Sequence, residues 1–187
     1  MDLDAIIQGC RDGNEGDWKV LVDLFSKKVF NLAYQFSGSY QEAQDLTQEI
    51  FVKLFHALPK YEPGRNFSAW LTTLAKNHLI DEYRRTRWEK KNRDDFEAHL
   101  FSAAAPDGDP EADLLRGERR RILWEGLNQL PPDIRLAVLL KEIHGKSYGE
   151  TAEITGVPEG TVTSRVNRGR LQLARILQKT REKADVL

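Results

Sequence analysis

The chain has 187 residues, with 28 Lys plus Arg, 29 Asp plus Glu and a formal net charge of -1. That length holds one medium domain or two small ones, and no run approaches the roughly 18 consecutive apolar residues that would cross a bilayer. The acidic start Met1-Asp2-Leu3-Asp4 lacks a leader pattern, and a single cysteine, Cys10, excludes an internal disulfide framework and Cys-based zinc fingers.

From Asp17 the apolar residues Trp18, Leu21, Val22, Phe25, Val29, Leu32 and Ala33 recur at helical spacing. Gly38-Ser39 ends this helix. A second starts near Tyr40, with an expected apolar face of Ala43, Leu46, Ile50, Phe51, Leu54 and Phe55. Its other side carries Gln44, Asp45, Gln48, Glu49 and Lys53. Asp45, Gln48, Glu49 and Val52 set acids and amides beside an apolar residue, which suits docking on a basic helical partner; an ordinary solvated face is the competing reading. Pro59 and Pro63-Gly64 break the chain. A third helix runs from about Phe67, with Ser68 as candidate cap, through Trp70, Leu71, Leu74, Ala75 and Leu79 into Asp81-Glu82-Tyr83-Arg84-Arg85. Trp70 falls on the apolar stripe and is expected in the core. His78 is expected on the helix surface, with no partner at ligand spacing for a metal.

The net charge hides a segregation. Residues 84–93 hold six basic groups and one acid, a local +5; residues 94–113 hold seven acids and no Lys or Arg; residues 161–181 hold six basic groups and no acid. The acidic stretch contains Ala103-Ala104-Ala105-Pro106-Asp107-Gly108-Asp109-Pro110, too polar to offset its ordering entropy. It is expected to be a flexible linker between a domain at 1–93 and another at 114–187.

The second domain reads as four short helices. The first covers about Arg116 to Asn128, and Pro131-Pro132 opens the second, which stops at Gly145. Ser147 caps a third from Tyr148 to Thr155; Gly156-Val157-Pro158 turns; Glu159 or Gly160 opens the last. Ala152, Gly156, Val157, Val162 and Val166 have the spacing of a helix-turn-helix. Its last helix presents Thr161, Thr163, Ser164, Arg165 and Arg168 near its N-terminal half, where arginine pairs with guanine and hydroxyls reach phosphates or base edges. Arg170, Arg175 and Lys179 lie further along, toward phosphates or solvent. The fold class is therefore all-α: two small helical domains joined by an acidic linker.

Three stretches, Ala43-Gln44-Asp45-Leu46-Thr47-Gln48-Glu49-Ile50-Phe51, Phe67-Ser68-Ala69-Trp70-Leu71 with Asp81-Glu82-Tyr83-Arg84-Arg85, and Lys146-Ser147-Tyr148-Gly149-Glu150-Thr151-Ala152 with Gly160-Thr161-Val162-Thr163-Ser164-Arg165, stand in the order seen in one family. In these motifs the chain resembles bacterial sigma factors of the extracytoplasmic-function (ECF) group, over about residues 10–180. The resemblance implies a sigma-2 module and a sigma-4 module. The helix bearing Asp45, Gln48, Glu49 and Val52 would dock on core RNA polymerase. Tyr61, Arg65, Asn66, Phe67, Asn77, Asp81, Arg84 and Arg85 would melt and read the minus-ten element. Thr161, Thr163, Ser164, Arg165 and Arg168 would read the minus-thirty-five element of promoter DNA. The linker would take the place of a sigma-3 domain, and an anti-sigma factor would be the regulator. No catalytic residue, cofactor, metal, membrane insertion or small-molecule substrate is expected, and the protein is expected in the cytoplasm. Two other readings stay open: a helix-turn-helix regulator with a sensor or dimerisation bundle, and a nucleic-acid-processing enzyme, for which no catalytic constellation is visible.

Overall fold

The computed structural model describes residues 2–93 and 121–184, with side-chain surroundings for 2–86 and 121–180. The acidic stretch at 94–113 and the expected start of the next helix near Arg116 lie outside the described residues. Every regular element among the described residues is helical: α1 Leu3–Arg11, α2 Glu15–Ser37, α3 Tyr40–Ala57, α4 Phe67–Arg93, α5 over 121–128, α6 Pro132–Val138, α7 Tyr148–Thr155 and α8 Glu159–Ala184. A single 3-10 turn, Leu58–Lys60, follows α3, and α6 runs into a π-helical turn at Leu139–Ile143.

The helix ends follow local chemistry. Asn14 accepts from the Gly16 and Asp17 amides, so α2 starts two residues before Asp17; Ser39 caps α3 through Glu42 N. At α4 the cap is Asn66, whose Oδ1 accepts from Ala69 N at 3.1 Å, rather than Ser68, which is already inside the helix. Ser147 and Glu150 form a reciprocal capping box on α7. Gly156, at φ +71°, closes α7 in the left-handed region, as a tight helix-turn-helix requires.

Helix α1 lies ahead of the first helix that the apolar periodicity predicts. It buries Ile6, Ile7 and Cys10, and the Trp18 indole N–H donates to the Cys10 carbonyl at 3.0 Å. Arg11 donates to the carbonyls of Leu58 and Tyr61, tying α1 to the loop after α3. The core of the first module is the α2–α3–α4 seam, with Leu21, Ile50, Leu54, Leu71 and Leu79 almost wholly enclosed. Truncating any of these to Ala costs about 2–5 kcal/mol. In the second module α8 crosses α6 at Gly169, where an added Cβ would lie 2.4 Å from Val138 Cγ2. Only a missing side chain permits that approach.

The two modules pack on each other. Arg135 of α6 is 4% exposed and donates to the Phe36 carbonyl at 2.7 Å, to Asn128 Oδ1 at 2.9 Å and to the Leu130 carbonyl at 3.2 Å. Its guanidinium sits 5.2 Å from the Phe36 ring centroid and 5.6 Å from that of Tyr83. A second contact joins His144 to α2: its Nε2 lies 2.7 Å from Gln35 Oε1. Burial pushes the His144 pKa below the ordinary 6.5, and Lys28 and Lys146 add to the shift.

Replacing Arg135 by Ala leaves the Phe36 and Leu130 carbonyls buried without their donor. The expected loss is about 3 kcal/mol of unfolding free energy, read from urea titrations; an unchanged midpoint would mean that solvent reaches those carbonyls. For His144 the depressed native pKa sets the sign. Above pH 6.5 the ring is neutral in both states. Below it the unfolded chain takes up the proton first, so stability falls with pH until the native ring protonates too. A melting temperature that falls less steeply below pH 6.5 in His144→Gln than in the parent chain is the expected observation.

Candidate nucleic-acid interface

The outer face of α3 brings together Asp45, Gln48, Glu49 and Val52, all exposed. Leu46, Ile50 and Leu54 point the other way, into the core, so one helical stripe holds the fold and the other is presented. Phe55 departs from its expected place. It falls on the outer stripe three residues after Val52, and both are 56% exposed. Its ring leans on Trp18 with centroids 5.1 Å apart. The face is thus acidic at its N-terminal half and apolar at its C-terminal half.

The loop from Pro59 to Asn66 is braced from beneath. Tyr61 and Phe67, expected at the DNA surface, are each 2% exposed. They form an aromatic cluster with Trp70, with Tyr61 to Trp70 centroids at 5.0 Å and Phe67 to Trp70 at 5.7 Å. Their rings are spent on holding the loop, because three large aromatics in one short stretch bury more together than apart. The Tyr61 hydroxyl donates to the Arg65 carbonyl. The side chains this loop presents are Arg65, paired with Glu62 at 2.7 Å, and Asn66. On α4, Asn77, Asp81, Arg84 and Arg85 are exposed, and Arg85 is paired with Glu82.

The helix-turn-helix forms as expected. Val162 and Val166 of α8 are fully enclosed against Ala137, with Tyr148, Ala152 and Val157 packed around them. That leaves Thr161, Ser164 and Arg168 exposed, and Thr163 and Arg165 partly so. Thr163 and Ser164 donate back to the Glu159 and Gly160 carbonyls, so their oxygens retain lone pairs for an incoming donor. Arg165 lies 3.9 Å from Asp133, and Arg170 pairs with Glu142 at 2.7 Å.

The two sets of candidate residues meet. Asn77, Asp81 and Arg84 of α4 line one crevice with Asp133, Thr155, Val157 and Arg165 of the second module. Lys76 reaches across it to the Thr155 carbonyl at 3.5 Å. Burial lowers the Lys76 pKa, opposed by Asp133 and Asp81. Lys76 and Asp133 carry no signal in the sequence for this role, because only the docking of the modules makes them neighbours.

His78 overturns its expectation. It is 2% exposed, not a surface residue, and its Nε2 lies 2.8 Å from Glu49 Oε2 on α3. An acid does stand at ligand spacing: Glu82, four residues on, shares its face of α4. No described helix is long and apolar enough to cross a membrane.

Known proteins fit this architecture. The family model Sigma-70 region 2 matches residues 21–89, and Sigma-70, region 4 matches residues 120–173. The ECF RNA polymerase sigma factor SigE of Mycolicibacterium smegmatis is 38% identical over 165 residues, 87% of this chain, which spans 62% of that relative's length. The ECF RNA polymerase sigma factor SigW of Bacillus subtilis is 30% identical over 188 residues, covering 95% of this chain and 98% of the relative. Among solved structures, the sigma factor RpoE in complex with the anti-sigma factor NepR from Bartonella quintana superposes with a TM-score of 0.70 at 28% identity, covering 87% of this chain and 97% of that one. With both sigma modules matched in order and a relative covered almost end to end, this chain belongs to the extracytoplasmic-function family of RNA polymerase sigma factors.

Proposed function

We propose that the chain docks on core RNA polymerase through the outer face of α3 and directs it to promoters. Asp45, Gln48 and Glu49 would meet a basic helical partner, and Val52 with Phe55 would give that contact its apolar part. The observation that carries this reading is the pairing of an acidic and apolar face on one module with a basic helix-turn-helix on the other. Arg65 and Asn66 on the braced loop, with Asn77, Asp81, Arg84 and Arg85 on α4, would engage the minus-ten element. Tyr61 and Phe67 support that loop from the core, a role that differs from direct stacking on a base. Extruding a base from the stack costs a few kcal/mol, and rigid bracing keeps that cost from being spent on ordering the loop. Thr161, Thr163, Ser164, Arg165 and Arg168 would read the minus-thirty-five duplex from the major groove.

The crevice has a consequence for this cycle. Lys76 already touches the Thr155 carbonyl across it, so no duplex fits between α4 and α8 in this arrangement. Promoter engagement therefore requires the walls to part. Polymerase would perform the phosphodiester chemistry, and the chain would act in the cytoplasm with no catalytic step and no small-molecule substrate of its own. An anti-sigma factor would be its regulator, and the residues at 94–113 would be the linker joining domains 1–93 and 114–187.

Run-off transcription with core polymerase over a promoter library tests the reading; binding to duplex DNA with no promoter-dependent transcript would replace it with a polymerase-independent regulator. Asp45→Lys with Val52→Asp is expected to weaken core binding roughly tenfold with an unchanged circular dichroism spectrum. Glu49 is left out of that variant because reversing it would set a cation against the buried His78. Arg165→Ala is expected to cost about 1–3 kcal/mol of discrimination at one base pair of the minus-thirty-five element. A uniform loss over all sequences would make Arg165 a phosphate contact instead.

A further inference from the structure

His78 is a buried imidazole whose two ring nitrogens both lack a directed hydrogen bond. Glu49 Oε2 stands 2.8 Å from Nε2, within contact distance but outside hydrogen-bond alignment. Buried polar atoms without partners are uncommon and call for a reason. Glu82 supplies a third group from the next turn of α4. One ligand atom from each of Glu49, His78 and Glu82 lies within 4.8 Å of the others. In a tetrahedral zinc site the ligand atoms sit about 2.0–2.2 Å from the ion and hence about 3.3–3.6 Å apart. Small rotations of two flexible glutamates close that difference, because the side chains of Glu49 and Glu82 are 52% and 22% exposed while the ring is held rigidly.

We propose that Glu49, His78 and Glu82 form a divalent transition-metal site bridging α3 and α4. One imidazole and two carboxylates suit zinc over calcium or magnesium, which take oxygen ligands throughout. Three protein ligands leave a fourth position for water. Arg85 opposes the cation, since its Nε holds Glu82 Oε2 at 2.9 Å and competes for that carboxylate. The Nδ1 of His78 has no acceptor behind it. Missing partners of that kind lower metal affinity by roughly 10–100-fold, which makes the site a reversible one. Occupancy draws the Glu49 carboxylate inward from the outer face of α3, so zinc weakens core docking. That consequence rests on the function proposed above; metal binding itself does not.

Zinc titration of the purified full-length chain against a chromophoric chelator, without polymerase, tests the site. One ion per chain is expected, with a rise in melting temperature that EDTA reverses. The double variant Glu49→Gln, Glu82→Gln alters two solvent-accessible groups and is expected to lose at least about tenfold in affinity and most of the thermal shift. His56→Gln, an exposed histidine at the end of α3, is expected to bind as the parent does. Failure to take up one saturable ion, equal affinity in the double variant, or loss on His56→Gln overturns the proposal. If zinc binds but leaves the affinity for core polymerase unchanged, the link to docking falls and the site stands.

Discussion

The arrangement of this protein depends on one buried cation. Arg135 leaves α6 and ends against the last turn of α2, where its guanidinium donates to the Phe36 carbonyl and lies over the rings of Phe36 and Tyr83. The same group satisfies Asn128 and Leu130 within its own module. A carbonyl at the end of a helix has no acceptor role left inside that helix, so an external donor is the natural way to satisfy it. Burial drives the Arg135 pKa down, yet guanidinium is basic enough to stay charged, and planar enough to serve several acceptors at once. A lysine offers one point charge and lacks that fork. The Nε of Arg135 finds no partner, which is the cost left in an otherwise saturated site.

Most of the local structure was legible because it is written in neighbouring residues. The capping signal at Ser147 with Glu150, the left-handed Gly156 and the enclosed Val162 and Val166 all lie within one stretch. What escaped depends on contacts between distant residues. Helix α1 is short, and its case rests on Arg11 meeting the Leu58 carbonyl. Phe55 is apolar and fits either side of α3 by composition; the Trp18 ring decides the side. Tyr61 and Phe67 are expected at the minus-ten element only through the resemblance, and nothing local shows that they pack on Trp70. His78 is the clearest case. Its Glu82 neighbour is visible at helical spacing, but Glu49 is placed beside it only by the crossing of α3 over α4.

That crossing gives Glu49 two environments. Toward solvent it belongs to the acidic stripe with Asp45 and Gln48; toward the core it faces an imidazole with no other partner. A carboxylate shared in this way couples the presented face of α3 to the helix that carries Asn77, Asp81 and Arg84. A charge placed beside that ring is felt on both, since the low polarity around a buried ring strengthens the interaction.

The contacts between the modules are unequal, and the inequality bears on how they separate. Across the crevice Lys76 makes one long hydrogen bond of 3.5 Å to the Thr155 carbonyl, and on its far wall Arg165 stands 3.9 Å from Asp133 of the same module. Partly exposed pairs of that kind contribute about 0–1 kcal/mol. Phosphates and base edges, which offer arginine shorter and paired contacts, compete with them easily. The Arg135 bond to the Phe36 carbonyl is short, buried and charge-assisted, and is worth more. Opening at the crevice while the Arg135 contact holds would turn the modules about the end of α2. Complete separation would expose the Phe36 carbonyl and both flanking rings to water. The overall charge of -1 fits the same picture: Arg84 and Arg165, proposed to read DNA, line the crevice together with Asp81 of the first module and Asp133 of the second, and phosphates would compete with those acids.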